Sequence, residues 1–503
     1  MTKQQQIGAL IEDIREEKNI TQSELAKLLK TSQSAVARIE KGDQNLTTET
    51  LSKISKALGR DLFVLTKGTI NFQIEGGRKL SGEVMMNTSK NGAVGLLCAS
   101  LLNKGKTVLK KVPKIEEVHR LIEVLQSIGV SVRWNKNDLE IDASKKINLK
   151  NIDIDAAMKT RSIIMFIGPL IHRFKDFSLP SAGGCKLGSR TVRPHFYALE
   201  KYGVKITSKK GEYEVEIKNK LRPAYNVLYE SGDTVTENAI MAAALIPGKT
   251  TIKFASANYQ VQELCFFLEE LGVKISGIGT STLIMHGLEQ IKQKIEYQLS
   301  EDPTEAMFFL AAAVCTKSSI TLRRVPIDFL ELELLKLEKM GFRYEILKEY
   351  KAKNKRTRLV DLKTFPSKLK ALEEKIHPDI FPGLNMDNLP FFAVIATQAK
   401  GRTLIHDWPY EKRALYFTEL DKLGAETVLA DPHRIYIDGQ TELRANDLVC
   451  PPALRPATIL LIAMLAAKGS SMLRNVYSIN RGYEDLATRL NKLGAKVRLV
   501  HEL

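Results

Sequence analysis

Apolar residues at Ile7, Leu10, Ile11 and Ile14 recur at helical spacing and predict a first helix ending near Glu17. Thr21-Gln22-Ser23-Glu24 then reads as a capping box, in which Thr21 caps a short helix over 22–29 and Glu24 reaches back. Lys30-Thr31 makes a tight turn into a second cap at Ser32, and the helix over 33–41 is stopped by Gly42. A further amphipathic helix runs from Leu46 to Leu58 and ends at Gly59. Two short helices joined by a small turn form the geometry that places the second helix in a major groove.

From residue 68 the pattern changes to a long repeat. A helix ending in a large residue, then Gly, then a short strand recurs at Ile128-Gly129-Val130, Tyr202-Gly203-Val204, Leu271-Gly272-Val273, Met340-Gly341-Phe342, Leu423-Gly424-Ala425 and Leu493-Gly494-Ala495. The glycines are 74, 69, 69, 83 and 70 residues apart. Turns such as Lys104-Gly105-Lys106, Lys400-Gly401-Arg402 and Lys468-Gly469-Ser470 precede strands in several units. Six βαβ-type units of this length are too long for a solenoid and suit two lobes of three, an α+β arrangement. The longest interval contains extra sequence at about 367–379, read as an insertion.

At 503 residues the chain needs more than one core. Its 44% hydrophobic and 26% charged content is ordinary for a globular protein. Met1 to Gln6 lacks the apolar core of a signal peptide, and the longest apolar stretch, 457–467, is too short to span a bilayer. Membrane association is therefore not expected. Five scattered cysteines without a CxxC pair point to reduced thiols in the cytoplasm, with neither a disulfide framework nor a metal site. The net charge of +17 invites a nucleic-acid reading, but residues 1–67 hold only +2 of it. A basic cleft in the larger part would suit phosphorylated small molecules equally well.

The words Thr21-Gln22-Ser23-Glu24-Leu25-Ala26 and Ser32-Gln33-Ser34-Ala35-Val36-Ala37-Arg38 closely resemble the Cro/repressor type of helix-turn-helix. That resemblance implies an all-α DNA-binding domain over 1–67, with Gln22, Ser32, Gln33, Ser34 and Arg38 facing DNA, and a homodimer. A docking or dimerisation bundle is the alternative.

In residues 68–503 the strongest signal is Pro180-Ser181-Ala182-Gly183-Gly184-Cys185-Lys186-Leu187-Gly188-Ser189-Arg190. Three glycines around one cysteine fit a loop that closes over a ligand. The loop resembles that of the enolpyruvyl transferases acting on UDP-N-acetylglucosamine. Ser89-Lys90-Asn91, Arg161 with Gly168-Pro169-Leu170, Thr236-Glu237-Asn238, Glu411-Lys412-Arg413, Ala453-Leu454-Arg455 and Asn480-Arg481-Gly482-Tyr483-Glu484 resemble further motifs of the same family. The resemblance implies a two-lobed fold, with lobe A at about 91–298 and lobe B at about 68–90 plus 299–503. The chain would cross between them near Lys90 and near 297–302.

It also implies transfer of the enolpyruvyl group of phosphoenolpyruvate to the 3-hydroxyl of UDP-N-acetylglucosamine, without a cofactor or metal. Cys185 corresponds to the general acid and Asp387 to the base, reached through Phe381-Pro382-Gly383-Leu384-Asn385-Met386-Asp387, two residues longer than the family word. Lys90, Arg190, Arg413 and Arg455 would hold phosphoenolpyruvate, with Asn91 beside the sugar and Arg161 at the cleft. Arg193, Gly232-Asp233-Thr234-Val235 and Pro303 depart from the family pattern on the nucleotide side. A transferase for another acceptor, and a transcription regulator that uses the fold to sense a ligand, stand as the alternatives.

Overall fold

The computed structural model describes residues 69–181, 183, 191–218 and 220–502. Of the N-terminal part it describes 8–9, 11–12, 14–16, 18, 20–29, 31–44, 50, 53–54 and 57–58. The chain forms two compact units, residues 1–71 with 499–503, and residues 72–498.

In the first unit, helices Gln22–Leu29 and Gln33–Lys41 pack around Ile11, Ile14, Leu25, Val36, Ile39, Ile54 and Leu58. The capping box is reciprocal: the Thr21 N–H donates to Glu24 Oε2 at 2.7 Å, and the Glu24 N–H donates to Thr21 Oγ1 at 3.2 Å. Ser32 Oγ accepts from the Ala35 N–H, and Gly42 closes the second helix at φ 74°. Arg15 donates to buried Glu40 at 2.6 Å.

The described residues from 69 to 502 form six sheets, three drawn from residues 106–298 and three from the first strands plus residues 319–502. Five share one plan. A central strand pairs antiparallel with one neighbour and parallel with a short one, as Lys106–Lys110 does with Asp138–Asp142 and Ile295–Gln298. Ser319–Pro326 lies likewise beside Arg358–Phe365 and Ser81–Met85. The sheet of Asp176–Pro180, Glu212–Ile217 and Val204–Lys209 has three strands. The stretch at 367–379 is no appendage. Leu369–Lys370 is the parallel strand beside Ala399–His406, and Ile376 bridges to Ile405.

All six repeat glycines take left-handed φ values between 89° and 97°, which explains their recurrence where a helix must turn into a strand. The helices they follow cover the sheets, while a second set forms the centres. Pro303–Cys315 is buried along its whole length, and Leu389–Ala396 is equally enclosed. A helix apolar on every side belongs inside the core.

Two segments join the halves side by side. Thr88 bridges to Glu301, the Ser89 N–H donates to Ser300 O at 2.8 Å, and the Asp302 N–H donates to Asn87 O at 2.9 Å. Both segments then begin helices, Lys90–Ala99 and Pro303–Cys315.

Candidate active site

Asp302 stands at the start of both helices. Its Oδ1 accepts the Thr304 and Glu305 N–H groups at 2.8 and 3.2 Å, and its Oδ2 accepts the Lys90 N–H at 3.1 Å. One carboxylate therefore satisfies otherwise orphaned donors of two helices and fixes where Lys90 begins.

Lys90 and Asn91 open onto a cleft of about 640 Å³, whose lining also includes Arg161, His195, Asp233, Glu237, Gln260 and Asp387. Asn91 Nδ2 donates to the Tyr259 hydroxyl at 2.9 Å, which sets its amide. Arg161 precedes the short helical segment Ser162–Phe166 and donates to Thr191 O at 3.3 Å.

Asp387 is the charge centre. Arg455 Nη2 donates to its Oδ2 at 3.2 Å, and its side chain remains 27% exposed. Burial opposes its ionisation, but Arg455, Arg413 and Lys90 outweigh that and hold the carboxyl below its usual value. Arg455 opens the buried helix Leu454–Ala466 and also donates to the Tyr483 hydroxyl at 2.8 Å and Thr304 Oγ1 at 2.9 Å. A cation before an apolar helix thus has its partners, drawn from three distant segments.

Arg413 lies deeper than the other cations. It is 1% exposed, forms a two-pronged pair with Asp407 at 2.5 and 2.8 Å, and lies 3.9 Å over the Tyr410 ring. Its charge reaches Asp387, but its hydrogen bonds to Asp407 keep it behind the lining. Asp407 and Glu333 were not read from the sequence. Glu333 Oε1 accepts the Asn385 N–H at 3.2 Å and Asn388 Nδ2 at 2.7 Å, bracketing Asp387. Arg481 donates to buried Glu117 at 2.8 Å, and Lys90 and Arg481 help hold Glu117 charged against burial.

Cys185 and Arg190 lie outside the described residues. The four described cysteines are free and buried, and burial pushes Cys450 up to about 12. In the first unit Ser32, Gln33, Ser34 and Arg38 are exposed, whereas Gln22 is half-buried and donates to Glu40 at 2.7 Å. Among the described residues no helix is long and apolar enough to cross a membrane, and no acidic, His or Cys cluster could hold a metal.

A cleft between two sets of three repeated sheets, with cations converging on the Asp387 carboxylate, is the arrangement of an enolpyruvyl transferase. The EPSP synthase (3-phosphoshikimate 1-carboxyvinyltransferase) family model matches residues 74–497, and the chain belongs to that family. Among curated relatives, it is 32% identical over 443 residues to the UDP-N-acetylglucosamine 1-carboxyvinyltransferase of Bacteroides thetaiotaomicron, covering 85% of this chain and 99% of the relative. The enzyme of that name from Bradyrhizobium diazoefficiens is 33% identical over 437 residues, with 86% and 99% covered. In three dimensions the chain resembles the enolpyruvyl transferase NikO from Streptomyces tendae, with TM-score 0.73, 22% identity, and 87% of this chain and 100% of that one covered. EPSP synthase from Acinetobacter baumannii follows at TM-score 0.65 and 16% identity, with 86% and 100% covered. A helix-turn-helix model matches residues 11–65.

Proposed function

We propose that residues 68–503 transfer the enolpyruvyl group of phosphoenolpyruvate to the 3-hydroxyl of UDP-N-acetylglucosamine, releasing phosphate, and that residues 1–67 bind DNA. The observation that carries the transfer is the Asp387–Arg455 contact, 3.2 Å long, at the edge of a cleft that Lys90 and Asn91 enter from the other half.

Lys90, Arg190 and Arg455 hold the phosphate and carboxylate of phosphoenolpyruvate, and Arg413 adds its charge from behind Asp407. Asn91 and Arg161 place the sugar nucleotide. Asp387 takes the proton of the 3-hydroxyl as that oxygen bonds to C2 of phosphoenolpyruvate, and Cys185 delivers a proton to C3. Loss of a C3 proton then restores the double bond as the C2–O bond to phosphate breaks. An anionic substrate that draws Arg455 away from Asp387 raises the basicity of that carboxylate, so the base strengthens as the site fills.

Exposed Ser32, Gln33, Ser34 and Arg38 face DNA in this reading, with Gln22 beside Glu40, and the N-terminal domain pairs with a second copy. Free thiols accord with the cytoplasm.

Phosphate release by the purified protein, given phosphoenolpyruvate and UDP-N-acetylglucosamine, tests the transfer. Release should need both substrates, fall by about 10²–10⁴ in Asp387→Ala, and fall steeply in Cys185→Ser. Folded protein that releases none removes this assignment.

A further inference from the structure

Two side chains in the cleft carry polar atoms that the proposed chemistry leaves unused. Glu237, 2% exposed, lies in the helix Asp233–Ala244 and lines the cleft, and its Oε1 has no hydrogen-bond partner among the described residues. Gln260, 5% exposed, lines the same cleft from the first turn of the helix Tyr259–Glu270, and its Oε1 is also unpartnered. Leaving such atoms unpaired in the interior is costly, and a ligand that pairs with them recovers the cost.

Both groups are held in place. Gln260 Nε2 donates to Asp233 Oδ2 at 2.6 Å, which fixes the amide with its carbonyl oxygen as the remaining acceptor. Asp233 is itself anchored, accepting from Ser256 Oγ at 2.5 Å and Asn258 Nδ2 at 3.1 Å. Glu237 rests against Gly95, where an added Cβ would stand 2.5 Å from Oε1. Gly95 is four residues after Asn91 in the helix Lys90–Ala99, so the carboxyl lies one turn below Asn91 on one face. Burial, reinforced by Asp233, holds the Glu237 carboxyl well above the usual carboxylate range.

We propose that Glu237 and Gln260 form an acceptor-recognition subsite that binds N–H or O–H groups of the sugar below Asn91, and that they set acceptor selectivity without contacting phosphoenolpyruvate. This rests on the enolpyruvyl transfer proposed above. The two oxygens demand donors, so a site satisfied by a hydroxyl or amide rejects an analogue lacking it. Cations hold phosphoenolpyruvate; carbonyl-type acceptors sort the sugar.

The test compares wild type with Glu237→Gln, Glu237→Met and Gln260→Met, reading phosphate release, calorimetric binding of UDP-N-acetylglucosamine and the melting temperature. In Glu237→Met and Gln260→Met the acceptor KM and Kd should rise at least about tenfold, with the phosphoenolpyruvate KM within about twofold. Glu237→Gln keeps a carbonyl and should change the acceptor KM by less than about threefold. Because Oε1 of Glu237 has no partner, Glu237→Met should hold or raise the melting temperature. An unchanged acceptor KM in Glu237→Met overturns the subsite while the transfer stands. A lowered melting temperature, with both KM values rising together, also overturns it by showing a structural role. Wild type that binds the sugar nucleotide without releasing phosphate overturns the transfer alone, and the Kd comparison then decides the subsite. Wild type that does neither overturns the acceptor assignment and this subsite with it.

Discussion

Asp387 keeps its charge because three cations face it, and it keeps its place because of a carboxyl that never touches the cleft. Glu333 holds Asn385 and Asn388 on either side of Asp387, and burial raises it to about 6. Glu333→Leu leaves the Asn385 N–H and the Asn388 amide unpaired. It should cost about 1–3 kcal/mol in urea denaturation and lower the rate of phosphate release. Glu333→Gln retains an accepting oxygen, so a variant equally unstable would contradict this role. Lys90, Arg161 and Arg455 were legible because each stands in a recognisable word of sequence. Asp302, Asp407 and Glu333 were not, since each is an ordinary acidic residue given meaning by partners far along the chain. Arg413 was legible as a motif, but its burial against Asp407 and Tyr410 depends on packing that the motif does not encode.

The repeat was legible at the scale of elements because it depends on one residue type. A glycine at φ near 90° recurs wherever a helix turns into its strand, and no other residue takes that conformation cheaply. Gly272→Ala, whose Cβ would meet only Leu288 at 3.7 Å, isolates the backbone cost, expected at about 1–2 kcal/mol by chemical denaturation. A loss below the error of the measurement would refute the conformational argument. The short parallel strands, such as Leu369–Lys370 and Tyr225–Val227, were not legible, because two or three residues carry no period. For the same reason 367–379 reads as an insertion in the sequence although it carries a strand.

Below one of the crossing segments, Glu263 accepts from the Tyr297 hydroxyl at 2.7 Å and from the Ser300 N–H at 3.2 Å. Burial outweighs both and raises it to about 7, well above the usual carboxylate range. Below about 4.5 the proton is held in both folded and unfolded chains, and this contribution to stability is complete. Between about 4.5 and 7 the unfolded chain releases its proton first, so stability falls as pH rises, by up to about 3 kcal/mol. Denaturation across this window should show a falling slope that is shallower in Glu263→Gln than in wild type. Equal slopes would exclude Glu263 as its source.

For the whole molecule, the DNA reading makes an ionic prediction. With duplex DNA as probe, full-length Arg38→Ala should flatten the slope of log affinity against log salt by about one unit, consistent with one lost phosphate contact. An unchanged slope would mean that this face does not meet DNA. The small charge of residues 1–67 already points to a modest salt dependence.

The paired crossing segments bear on how the cleft can open. Two chains that are hydrogen-bonded to each other behave as a pair of door pins rather than as a swivel. They permit bending about one axis and resist torsion, because twisting would shear the Ser89–Ser300 and Asp302–Asn87 contacts. A swing of this kind carries Lys90 along an arc whose pivot is Asp302, the carboxylate that anchors its own backbone. The cation nearest the pivot travels least, so in the proposed transfer a phosphate on Lys90 has a nearly stationary reference point while the far wall closes.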